Sequence, residues 1–174
     1  AGSLYTVEHF RAIRNRLAAD GLFCQWLPLF QLDLDTLRLI TRSYIEVFPN
    51  AQLHLAHNSL RQPLLCLLGG EGLNAFGADW LVQRVHDHDL QQQLVRARLN
   101  SDFALFGGYL GGPTALRSLA GDVALNTDDH PRVIFDAPGF VYGDPESPAE
   151  RLLELVRLLA AQEREARRLQ LQRQ

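Results

Sequence analysis

The chain has 174 residues, 47% of them apolar, and a formal net charge of −3 at pH 7. That is enough chain for one domain with a real core and a short appendage. The mild negative charge argues against a nucleic-acid or acidic-membrane binder, and the basic residues, all arginine, are scattered except near the C-terminus.

Residues 6–18 place Val7, Phe10, Ile13 and Leu17 on one face at helical spacing. Asp20-Gly21 ends that helix in a turn. Leu22 to Phe30 is a near-continuous apolar run broken by Gln25 and Pro28, which suits an interior strand covered on both faces. Asp33 or Asp35 can cap the next helix, whose buried stripe is Leu37, Ile40, Tyr44, Val47 and Phe48, and Pro49-Asn50 stops it. Gln52 to Ala56 alternates as a strand, and Pro63 to Leu68 is again continuously apolar. The span from His57 to Pro63 is too short for a helical crossover, so these two strands are expected to be antiparallel.

Beyond Gly72 the pattern turns mostly helical. Trp80, Leu81 and Val85 mark one short piece, Leu90, Leu94, Val95 and Leu99 a second, and Pro113 to Leu119 a third with Pro in its first turn. Asp122 to Phe135 reads as a turn followed by a short strand. Ser147-Pro148-Ala149-Glu150 is a capping box opening a helix with Leu152, Val156 and Leu159 as its stripe. From Glu163 that helix becomes Arg- and Gln-rich, like a linker or a helix cut from a longer array. Three segments result: 1–72 with the strands, 73–143 with helices and turns, and 144–174 as terminal helix or linker.

The order and spacing of Ser3-Leu4-Tyr5, His9-Phe10, Arg16 to Gly21 and Phe23-Cys24-Gln25 resemble the middle of a spermidine synthase. The resemblance continues through Phe48-Pro49, Pro63 to Leu68, and Asn126-Thr127-Asp128-Asp129-His130 with Phe135 and Ala137 to Phe140. It covers about residues 3–140 and includes the membrane-anchored bacterial relatives of that family. The fold it implies is α/β, the C-terminal half of a class I methyltransferase-like Rossmann fold with additional C-terminal helices. The activity it implies is polyamine biosynthesis by transfer of an aminopropyl group from decarboxylated S-adenosylmethionine to an amine. The family's glycine-rich nucleoside turn and catalytic aspartate would both precede residue 1. With no Met in the chain, the expectation is a fragment that is inactive alone. Ala1-Gly2 is either native sequence or a cloning remnant.

The resemblance also points to substrate contacts. A glutamine at the end of the family's strand touches the polyamine, and here either Gln25 or Trp26 takes that position; a Gln bonded to neighbouring backbone is the alternative. Asp128, Asp129 and His130 could hold a cationic amine or relay a proton, or simply form a side-chain-capped turn before Pro131. Asn58 to Gln62 carries no aromatic where the family places one, and Arg61 there would repel a diamine. No catalytic residue, bound cofactor or metal is expected in the chain itself; His86 to Asp89 reads as a solvated helix cap, and the glycine pairs as turns. Cys24 and Cys66 read as two buried thiols of a cytoplasmic protein. No apolar run approaches the roughly 20 residues that span a bilayer and no signal peptide is visible, though a parent anchor stays open. Expected partners are a small amine and either a second copy or the missing N-terminal half, and no nucleic acid. Two competing readings are a non-catalytic assembly module on the same fold and a methyltransferase.

Overall fold

In the computed structural model, the described residues are 2–57, 59–75, 84, 87–99, 101, 107–135 and 147–171. After a short 3-10 turn, α1 runs Val7–Arg14, with the Thr6 side chain accepting the His9 N–H at its start. Strand β1 (Phe23–Pro28) follows, then α2 (Leu34–Val47), β2 (Gln52–His57) and β3 (Leu64–Gly69). Helix α3 is His88–Arg96, β4 is Tyr109–Gly111, α4 is Pro113–Ala120 and α5 is Pro148–Leu171. The chain is mixed α/β, with one antiparallel four-stranded sheet in the order β1-β3-β2-β4.

Both β1 and β2 pair antiparallel with β3, so they run in the same direction with α2 connecting them. The short hairpin expected between β2 and β3 is present. Asp33 caps α2 by accepting the Thr36 N–H at 2.6 Å, and Leu37, Ile40, Tyr44, Val47 and Phe48 are all buried. Pro113 opens α4 in its first turn. The capping box also forms: Ser147 Oγ accepts the Glu150 N–H, and Glu150 accepts the Ser147 N–H at 2.9 Å. That returned N–H holds the Glu150 carboxyl below the usual carboxylate range.

Four expectations are corrected. The run from Leu22 to Phe30 is not covered on both faces: among the described residues β1 pairs with β3, and Trp26 is 55% exposed. The segment before Phe135 turns helical from Arg132 instead of forming a strand. The buried stripe of α5 is Leu152, Leu155 and Leu159, while Val156 faces outward. Cys24 and Cys66 are joined as a disulfide between β1 and β3, with Cα atoms 5.9 Å apart. Trp80, Leu81, Val85, His86 and Ala137 to Phe140 lie outside the described residues.

The core sits on one face of the sheet. Leu27, Leu53, Leu65 and Leu67, all inward by strand alternation, are fully buried beneath the helices. Phe10, Phe23, Tyr44 and Phe48 form an aromatic cluster over the start of β1, with the Tyr44 and Phe48 ring centroids 4.9 Å apart. The Tyr44 hydroxyl donates to the Phe23 carbonyl at 2.8 Å, and burial pushes that phenol well above its ordinary pKa. A side chain at Gly69 would collide with Phe48 and the Tyr44 hydroxyl, so glycine is required there. Gly70 has φ 131° and packs its α-carbon against the Gly21 carbonyl, a conformation and an approach only glycine accepts.

Tyr44→Phe keeps the ring packing and removes the hydroxyl donor. The expected loss is about 1 kcal/mol of unfolding free energy, read from urea denaturation. A neutral result would mean that this bond does not hold α2 to β1.

Candidate binding surface on the open sheet face

Strand alternation places Cys24 and Trp26 on the face of β1 opposite the core. Register extends this across all four strands: Trp26 lies opposite Cys66, Cys66 opposite His54, and His54 opposite Tyr109. These residues form one lateral row, one per strand. Adjacent strands lie about 4.8 Å apart, so the row is a narrow strip across the sheet. Its ends are open, with Trp26 55% and Tyr109 44% exposed, while Cys66 between them is 9% exposed. His54 and Tyr109 meet edge to face at 5.6 Å. His54 Nε2 shares a 3.2 Å hydrogen bond with Gln52 Oε1, and burial holds the imidazole below its usual pKa.

The edge of β1 explains what Gln25 does. Leu29 donates its N–H to the Pro63 carbonyl, continuing the ladder to β3. Antiparallel pairs alternate, so the odd-numbered residues of β1 face β3 and Cys24 and Trp26 point their N–H and C=O outward. Gln25 Nε2 donates to that outward Trp26 carbonyl at 3.1 Å, so its amide serves the strand edge. Pro28, with no N–H to leave unpaired, ends the same edge.

Asp128, Asp129 and His130 lie elsewhere, on an exposed turn. Thr127 closes it, its carbonyl and hydroxyl both accepting the His130 N–H, at 3.2 Å and 3.1 Å. Glu8 on α1 accepts the Asp128 N–H at 3.1 Å, bringing a third carboxylate to the turn. Beneath it, Asn126 is fully buried: its N–H donates to Ser43 Oγ, its carbonyl accepts from Val7 and its Oδ1 accepts from Val133. No described hydrogen bond or ion pair links Gln25 or Trp26 to Asp128, Asp129 or His130.

A cavity of about 180 Å³ opens at the other end of β1, between the C-terminal ends of α1 and α2 and Gly70-Glu71. Arg14 spans it, donating to the Val47 carbonyl at 3.0 Å and reaching Glu71 at 3.8 Å. None of the five residues singled out from sequence lines it. Arg61 is exposed in the turn before β3, where Ser59 Oγ accepts the Gln62 N–H. Asp87 caps α3 through the Asp89 and Leu90 N–H groups, as a solvated cap would.

Gly69-Gly70 follows a strand but leads into a 3-10 turn, Glu71–Ala75, with Gly70 packed against the Gly21 backbone and Gly72 against that of Asp20. No group of three or more metal-ligating side chains is gathered among the described residues. No described helix is long and apolar enough to cross a membrane.

Sequence reasoning singled out Trp26 beside Gln25 and did not bring it together with His54, Tyr109 and the sulfur pair on one surface. Only the register between strands assembles them; along the chain, the weak signal was the alternation of Gln52, His54 and Ala56. Comparison with family models, with curated proteins and with solved structures gives no match to this chain.

Two outcomes follow from the buried polar groups. Asn126→Ala leaves the Val133 N–H without its acceptor inside the protein, a loss of about 1–3 kcal/mol in denaturant unfolding. Because the folded His54 has a lowered pKa, the unfolded chain takes the proton first as pH falls. Stability is therefore untouched above about pH 6.5, the free imidazole value, and declines below it. His54→Gln should flatten that part of the decline, as read from melting temperature against pH; an unchanged slope would contradict the assignment.

Proposed function

We propose that this chain is the closing half of a class I methyltransferase-like fold of the spermidine synthase type. Its parent would transfer an aminopropyl group from decarboxylated S-adenosylmethionine to an amine. The observation that carries the reading is the arrangement of β1, α2, β2 and β3: two strands in the same direction, a helical crossover between them, and an antiparallel strand to finish. Strand, helix, strand, antiparallel strand is how the sheet of that fold ends. The resemblance of residues 3–140 supplies the family.

The chemistry requires a deprotonated amine held in line with the carbon beside a sulfonium. The resemblance places the base and the nucleoside turn outside this chain, so the chain alone is expected to be inactive. What it offers is recognition of a cation. The exposed Trp26 indole presents a π face at the end of β1. Glu8, Asp128 and Asp129 put carboxylates together on the turn at the start of α1.

A second reading is favoured by two observations. The Gln25 amide is engaged by the Trp26 carbonyl, and the cavity lies at the other end of the strand. Both suit an assembly module that keeps the fold without the pocket.

The test joins the chain to the polypeptide encoded upstream of Ala1 and measures methylthioadenosine released from decarboxylated S-adenosylmethionine and a diamine. Turnover by the joined protein and none by the chain alone is the expected result. Trp26→Ala should raise the diamine KM about fivefold, the equivalent of about 1 kcal/mol of cation–π attraction. Turnover by the chain alone, or none by the joined protein, would defeat the proposal, and the latter would favour the assembly module.

A further inference from the structure

Cys24 and Cys66 are linked diagonally: Cys24 lies opposite Leu68, and Cys66 lies opposite Trp26. Their surroundings differ. Cys66 is enclosed within the lateral row, with Trp26 on one side and His54 on the other, and is 9% exposed. Cys24 is half-buried on β1, at one end of the sheet order, while Cys66 has a strand on either side. A reagent therefore meets less of the described sheet at Cys24 than at Cys66.

We propose that the Cys24–Cys66 bond is a reversible thiol–disulfide exchange site, entered at Cys24 by a soluble dithiol reductant. A thiolate of the reductant attacks Cys24 Sγ and forms a mixed disulfide. The Cys24–Cys66 bond breaks, and its electron pair leaves on Cys66 Sγ, which takes a proton from water. The reductant's second thiol, as thiolate, then attacks its own sulfur in the mixed disulfide. Cys24 leaves as a thiolate and is protonated. The reductant ends as a disulfide, and the protein has gained two electrons and two protons.

Accessibility makes the bond labile, since exchange rates depend on access to the attacked sulfur. In a reducing compartment the same pair would stand as thiols, the state expected from its apolar surroundings in the sequence. Both states suit one site. The bond fastens β1, which has one ladder partner, to the central strand β3. Its reduction leaves β1 held by the ladder and by the inward side chains alone. Trp26, the register neighbour of Cys66, is a built-in reporter, because a disulfide quenches a nearby excited indole by accepting its electron.

The test uses the full chain without denaturant. Alkylation and mass spectrometry count free thiols before and after dithiothreitol. The expected counts are none in the protein purified under air and two after treatment, from its two cysteines. Fluorescence should rise on reduction in a Trp80→Phe background, where Trp26 is the remaining indole. A monothiol, quenched early with acid and mapped by peptide, should be found on Cys24. Two free thiols in the air-purified protein, reduction only after unfolding, or a monothiol adduct confined to Cys66 would each overturn the proposal. If Trp80→Phe does not fold, the thiol count and the peptide map on the native sequence decide. None of these readouts depends on amine transfer, so the two proposals stand or fall separately.

Discussion

The position of β1 rests on the aromatic cluster at its first residue. An edge strand with one ladder partner needs a second anchorage, and Phe23 provides it. Its ring meets Phe10 of α1 at 6.3 Å and both Tyr44 and Phe48 at 5.9 Å, and its carbonyl accepts the Tyr44 hydroxyl. Phe10, Tyr44 and Phe48 are almost completely buried, so the cluster couples α1, the end of α2 and β1 through one body of close-packed rings. The absence of a side chain at Gly69 lets β3 enter the same cluster at its far end. Because strand alternation is strict, fixing Phe23 inward also fixes Cys24 and Trp26 outward. The open face is a consequence of the core.

Helix α1 transmits that anchorage along its length. At its start, Val7 donates to the Asn126 carbonyl and Glu8 accepts from Asp128, tying in a turn 120 residues further along the chain. Asn126 in turn receives α2 through Ser43. At its end, Arg14 reaches the Val47 carbonyl and Glu71, so the last turns of α1 and α2 are held to the segment after β3. The turn bearing Asp128, Asp129 and His130 is therefore fixed from below by a buried asparagine. Its carboxylates are free to face solvent because the backbone N–H groups do the fastening.

Elements whose signal is local were legible in the sequence. The stripe of α2, its Asp33 cap, the capping box at Ser147 and the β2–β3 hairpin depend on residues within a few positions of each other. What was hidden depends on partners far along the chain. The run from Leu22 to Phe30 reads as interior because its solvent face holds Cys24 and Trp26, which are as apolar as its core face, so alternation leaves no trace. Val133, Ile134 and Phe135 favour a strand by type, yet Asn126 takes the Val133 N–H and Ile134 bonds back to Pro131, which bends the segment into a helical turn. Val156 and Leu155 differ by about a hundred degrees around α5, and its packing against α4, β4 and the turn after β1 decides which one faces inward. The sulfur pair, 42 residues apart, becomes visible only once β1 and β3 are in register.

The two faces of β1 thus have opposite characters. The Phe23 ring is locked among the aromatic side chains beside a cavity already spanned by Arg14, while the face opposite the core carries the half-exposed Trp26 indole. Cys24 and Trp26 lie two residues apart on one face of one strand. The disulfide ties β1 to β3 at Cys24, the Gln25 amide occupies the outward Trp26 carbonyl, and beyond them Leu27 is fully buried and the Leu29 N–H is donated to the Pro63 carbonyl, so the strand is held along its whole length.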